Sequence, residues 1–148
     1  MYTDRELTAA LDQAVTATAV SADSIAMDGL FSGRPGANFR AYALVTQDFA
    51  AAGAATLTIE VIEATNGALT SGVTVLASSA ALALADLKAG GKKFELDIPM
   101  PKNSKKFLGF RFTVGTGPMT AGKITAGFAP GTPTPLDDRP EYYTGLAA

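Results

Sequence analysis

The residues Gly117-Pro-Met-Thr-Ala-Gly-Lys123 carry the G-x-x-x-x-G-K spacing of a phosphate-binding loop, after an apolar run, FLGFRFTVGT, that reads as a strand. Such a loop holds phosphate with backbone N–H groups and a lysine. It also needs a Ser or Thr hydroxyl for magnesium and a helix whose N-terminus faces the anion. Ile124 stands where the hydroxyl is needed, and Pro118 removes one N–H from the cradle. The continuation ITAGFAPGTPTP carries two glycines and three prolines and cannot sustain the helix. The stretch reads instead as a Gly-rich hairpin turn between strands at 107–114 and 123–128.

The paired carboxylates fare similarly. Glu95 and Asp97 share a strand face and have the residue types of a glycosidase pair. Two-residue spacing on a strand is also the wet side of a half-buried sheet, and the chain has no Trp to stack a sugar. Asp137, Asp138 and Glu141 lack the alternation and central Gly of a calcium loop and read as a solvated acidic turn. Lys102, Lys105 and Lys106 read as a solvated loop, and Ser78-Ser79 has no nucleophile-elbow context. With no His and no Cys, histidine-dependent triads, proton shuttles, zinc-thiolate sites and disulfides are excluded. The expectation is a protein with no enzymatic activity, no cofactor and no metal.

Composition narrows the partners. A chain of 148 residues is one domain's worth and is long enough to bury its own core. Net charge is −2 and the basic residues are scattered, which leaves no footprint for nucleic acid. No run approaches the roughly 18 apolar residues of a membrane span, and MYTDRELTAALDQ lacks a secretory pattern. A soluble protein made in the cytoplasm is expected.

The elements are mostly β. Leu57, Ile59 and Val61 alternate with Thr58 and Glu60, and Thr65-Asn66-Gly67 follows as a turn in which Asn and Gly tolerate positive φ. Leu108, Phe110, Phe112 and Val114 alternate with Gly109, Arg111 and Thr113. Phe94, Leu96 and Ile98 share one face, and FRAYALVTQDF places Tyr42, Leu44 and Thr46 on one side. With GVTVLASS, SIAMDGL and KITAGFA these make about seven strand-like segments at short spacing, the pattern of an all-β antiparallel sandwich or barrel. Residues 3–14 contain a Thr3-x-x-Glu6 capping box with Leu7 and Leu11 four apart, which suits a short helix or an extended arm. AALALADLK suits either a strand or a helical turn. From Pro130 the Pro-rich PGTPTPLDDRPEYYTGLAA resists ladder pairing and either folds back or reaches a partner. The expected division is an N-terminal arm or short helix at 1–20, a β-sandwich at 21–129 and a tail at 130–148.

Three segments carry a resemblance: DQAVTATAVSADSIAMDG, the LADLKAG of residues 84–90, and TAGKITAG near the last strand. Over roughly residues 12–128 the chain resembles the small cement, or decoration, proteins of tailed-bacteriophage capsids, of the jelly-roll type found on short-tailed phages. The resemblance implies a jelly roll on the outside of an assembled head, bound to the major capsid protein and to itself as a dimer or trimer. It implies a virion location and no chemistry. Apolar and basic residues of the two arms, Tyr2, Leu7, Leu11, Arg139, Tyr142, Tyr143 and Leu146, are the candidate contacts. The alternative is a carbohydrate-binding β-sandwich or host-surface adhesin, whose sugar platforms would be Tyr42, Tyr142 or Tyr143.

Overall fold

The computed structural model describes residues 5–26, 39–91, 94–97 and 106–130. A 3-10 turn at Arg5–Leu7 leads into β1 (Thr8–Ala14), followed by β2 (Ala19–Val20), β3 (Ile25–Ala26), β4 (Phe39–Ala50) and β5 (Thr56–Ala64). After these come β6 (Thr74–Ser78), β7 (Leu82–Ala83), a second 3-10 turn at Leu84–Asp86, β8 (Phe94–Asp97), β9 (Phe107–Gly115) and β10 (Ala121–Pro130).

Pairing is antiparallel throughout and nested: β1 with β10, β2 and β3 with β9, β4 with β8, and β5 with β6 and β7. Two further ladders, β10–β4 and β5–β9, join these pairs into sheets ordered β1-β10-β4-β8 and β2-β9-β5-β6. A long antiparallel ribbon rolled into two stacked sheets is the winding of a jelly roll. The fold is an all-β antiparallel sandwich, as the alternation predicts.

Alternation builds the core directly. Leu57, Ile59 and Val61 of β5 and Leu108, Phe110 and Phe112 of β9 are buried from one sheet. Ala41, Ala43, Val45 and Phe49 of β4 and Ile124, Ala126 and Phe128 of β10 meet them from the other. The Phe110 ring stacks on Phe128 with centroids 4.8 Å apart, so the two sheets interlock through aromatic rings set against small alanines. Phe94 and Leu96 of β8 pack against this core from the edge, and Glu95 points outward.

Two expectations change. The segment at 115–121 is not a hairpin, because β9 and β10 lie in different sheets. It is an arch across the sandwich end, drawn inward by buried Met119, whose N–H donates to the Thr16 carbonyl. Residues 8–14 are neither a helix nor a free arm; they form β1, an edge strand of the sandwich, so the domain begins well before residue 21. Pairing with β10 satisfies the backbone groups on the inner side of this segment, whereas a helix of that length is marginal in water. Leu82–Asp86 realises both readings, a short strand and then a 3-10 turn. The tail beyond Pro130 lies outside the described residues.

Candidate interaction surfaces

Thr116 and Gly117 open the arch with φ of 60° and 97°, Pro118 is exposed and Met119 is buried. Gly122 has φ 144°, and a Cβ there would overlap the Phe49 ring. The glycines thus shape the chain path and its packing. Lys123 lies beyond the arch, where its Nζ is 3.5 Å from Asp12 Oδ2 on a neighbouring strand. That lysine belongs to a cross-strand ion pair.

The other two segments that carry the resemblance also fix backbone. In DQAVTATA, Val15 is buried and its N–H donates to the Gly122 carbonyl, while Gln13 Nε2 donates to the Val20 carbonyl and Gln13 Oε1 accepts from the Ala22 N–H. In LADLKAG, Leu87 is buried, its carbonyl accepts from the Phe49 N–H, and Gly90 takes φ 70°.

The outer faces of both sheets carry tied charges. On β5 and β9, Arg111 Nε donates to Glu60 Oε2 at 2.6 Å and Thr113 Oγ1 donates to the same oxygen at 3.0 Å. The Arg111 hydrogen bond, with help from Thr113, holds the Glu60 carboxyl below its ordinary value, and Glu60 raises Arg111 in turn. On the other sheet, Thr46 Oγ1 donates to Asp12 Oδ1 at 2.5 Å and the Asp12 N–H donates to Thr125 Oγ1. That hydroxyl, and then Lys123, lower the Asp12 pKa. Asp48 is lowered chiefly by the Ala89 N–H it accepts, with Lys88 beside it at 3.5 Å. Glu95 lies 3.4 Å from Arg40 in an exposed ion pair. These pairs tie residues that are distant in sequence and leave both faces polar.

Of the contact candidates, only Leu7 and Leu11 fall among the described residues. Leu7 is half-buried and packs against the core. Leu11 is 57% exposed on edge strand β1. Tyr2, Arg139, Tyr142, Tyr143 and Leu146 lie outside the described residues. Tyr42 is 2% exposed, with its hydroxyl 3.5 Å from Thr8 Oγ1, which removes it as a sugar platform. Asp137, Asp138, Glu141, Lys102 and Lys105 also fall outside the described set.

Two features escape the sequence reading. Glu63 is 4% exposed on the core side of β5, opposite Leu108, and its Oε2 has no hydrogen-bond partner among the described residues. Its place at the end of a regular alternation was visible; its burial depends on the sandwich closing over that end. The second is a small cluster of Ile62, Ala64 and Leu69, outside the main core, against which Val20, Val73 and Phe107 pack. The turn after β5 folds back to form it, and no periodicity in the sequence reports that contact.

Among curated proteins nothing matches the chain. The profile of the Bbp16 family matches residues 9–128, from the buried alanines of β1 to the core phenylalanine of β10. By that match, which spans both sheets, the chain belongs to the Bbp16 family.

Proposed function

We propose that this protein is a structural component of a phage head, bound outside the assembled shell to neighbouring major capsid proteins as a cement. The observation that carries the reading is the likeness of three segments to capsid cement proteins, each at a point that sets the fold. DQAVTATA spans the end of β1 and its turn into β2, LADLKAG holds the chain against β4, and TAGKITAG enters β10 from the arch. The sandwich, with its buried core and its outer charges paired, supports the reading as a body suited to bridging subunits.

Linkage supplies the mechanism. A protein that binds the expanded shell and not its free subunits stabilises the shell by RT ln(1 + [L]/Kd), about 2.7 kcal/mol per site at a hundredfold excess over Kd. Repeated over many sites, modest contacts resist the internal pressure of packed DNA. Cryo-electron microscopy of the virion tests this. Density for the chain outside the shell, bridging capsid subunits, is expected; density on tail fibres, or none on the particle, overturns it.

A further inference from the structure

Asn66-Gly67 heads the turn that follows β5. Such a pair normally serves a turn by taking positive φ, yet here the positive φ falls at Leu69 and Gly72. A Cβ at Gly67 would meet Ser24 Oγ at 3.5 Å and the Phe107 ring at 3.6 Å, both ordinary contact distances. Neither conformation nor packing therefore requires a glycine at this position. What glycine does supply is an uncrowded main-chain nitrogen. Gly67 is exposed, and its N–H has no hydrogen-bond partner among the described residues.

The carboxamide just before that nitrogen is held in an unusual way. Asn66 Oδ1 accepts two main-chain N–H groups, those of Thr70 and Ser71, each at 3.0 Å. Its Nδ2 donates to Thr70 Oγ1 at 2.9 Å, and its main-chain carbonyl accepts the Leu69 N–H at 3.1 Å. The side chain is thus bent forward over the turn, with paired donors on its oxygen and a hydroxyl against its nitrogen. Paired N–H groups on a carbonyl oxygen polarise its carbon and stabilise the oxyanion formed on nucleophilic attack. A hydroxyl beside the nitrogen can deliver the proton that departing ammonia needs.

We propose that Asn66 is a site of self-modification, which the folded turn converts to aspartyl and isoaspartyl products through a cyclic imide with Gly67. Water takes the Gly67 N–H proton as that nitrogen attacks Asn66 Cγ. A C–N bond forms, and the negative charge settles on Oδ1 between the Thr70 and Ser71 N–H groups. Collapse breaks the Cγ–Nδ2 bond. The nitrogen takes a proton from Thr70 Oγ1 and leaves as ammonia, and the proton lost from Gly67 returns to Thr70 through water. A second water then opens the imide at either carbonyl, so water is the sole co-reactant. The aspartyl product keeps its oxygen toward Thr70 and Ser71. The isoaspartyl product inserts a methylene into the main chain, which lengthens the ring closed by the Leu69 N–H and loosens the seat of buried Leu69.

The test incubates the full chain in neutral buffer and follows residue 66 by peptide mass spectrometry, reading the exchange of NH2 for OH. Chromatography separates the isoaspartyl form. The native chain is expected to react about tenfold faster than the same chain held unfolded in urea, because only the fold assembles the two donors on Oδ1. Thr70→Val keeps the main-chain donor and loses the hydroxyl, and is expected to slow the native reaction about tenfold, while Thr70→Ser keeps the wild-type rate. Gly67→Ala fits the turn, so it should slow the reaction by crowding the nitrogen and leave the urea midpoint unchanged. If Thr70→Val fails to fold by circular dichroism, the comparison of native and unfolded wild type decides alone. A native rate equal to or below the unfolded one overturns the proposal, as does a folded Thr70→Val or Gly67→Ala that reacts like wild type. The site stands on the geometry of the turn and is independent of the cement reading.

Discussion

Gly109 lies directly beneath Leu69: a Cβ at residue 109 would overlap the Leu69 side chain and fall 2.9 Å from Ser21 Oγ. The glycine is thus the floor on which the turn after β5 seats its apolar residue, and Ser21 Oγ accepts the neighbouring Phe110 N–H. Gly109→Ala is expected to cost about 2 kcal/mol by overpacking. A urea titration should show a lower midpoint with an unchanged slope. An unchanged midpoint would mean that Leu69 moves aside freely.

Asn66 organises the same turn. Its Oδ1 accepts the N–H groups of Thr70 and Ser71 at 3.0 Å, and its Nδ2 donates to Thr70 Oγ1. Asn66→Ala removes all three bonds and is expected to cost about 1 kcal/mol in urea denaturation. Asn66→Asp keeps the acceptor and should recover most of the loss; failure to do so would assign the effect to backbone preference.

These two residues show where the sequence was informative. The alternations of β5 and β9 name the core faces correctly, because a strand buried on one side must repeat every two residues. Gly109 reads as the small residue on the opposite face of β9, but its reason, Leu69, comes from a turn some forty residues earlier and leaves no local trace. Asn66 is legible as a turn residue, yet for the wrong cause: the positive φ falls at Leu69 and Gly72, and Asn66 acts through its side chain. The 115–121 connection looks like a hairpin because two alternating strands flank it. Which sheet each strand joins depends on partners far away, β5 and β3 for β9, β1 and β4 for β10. Of the contact candidates, Leu7 and Leu11 look equivalent by type, and only the pairing of β1 separates them.

Glu60 makes stability pH-dependent. Its carboxyl is held low in the fold by Arg111 and Thr113, so the unfolded chain takes up a proton first as pH falls. The stabilisation is full above the ordinary glutamate value and is lost as pH falls through the depressed native one. Glu60→Gln should cost about 1 kcal/mol near neutral pH, modest because Arg111 is partly solvated. The gap between wild type and variant in urea midpoint should close as the pH falls below the ordinary glutamate range. A gap that persists in acid would show that the Gln weakens packing and not an ionic contact.

Leu11 offers a readout of the proposed function that stability does not confuse. Its side chain is largely in water, so Leu11→Glu should leave the urea midpoint within about 0.5 kcal/mol of wild type. If the β1 edge meets the capsid, the same change should weaken decoration of heads about tenfold in a pelleting assay. Equal decoration by both proteins would exclude β1 from the contact.

Glu63 gives the least intuitive expectation. A buried carboxylate normally persists because hydrogen bonds or an ion pair offset its desolvation, yet Oε2 has neither among the described residues. Its neighbour across the ladder is Leu108, a core residue, so the surroundings favour an apolar side chain of similar length. Glu63→Met should therefore leave stability unchanged or raise it by about 1 kcal/mol, against the general trend that buried substitutions destabilise. Thermal and urea unfolding measure it directly. A loss above about 1 kcal/mol would show that the carboxylate has a cationic or donor partner in the working protein.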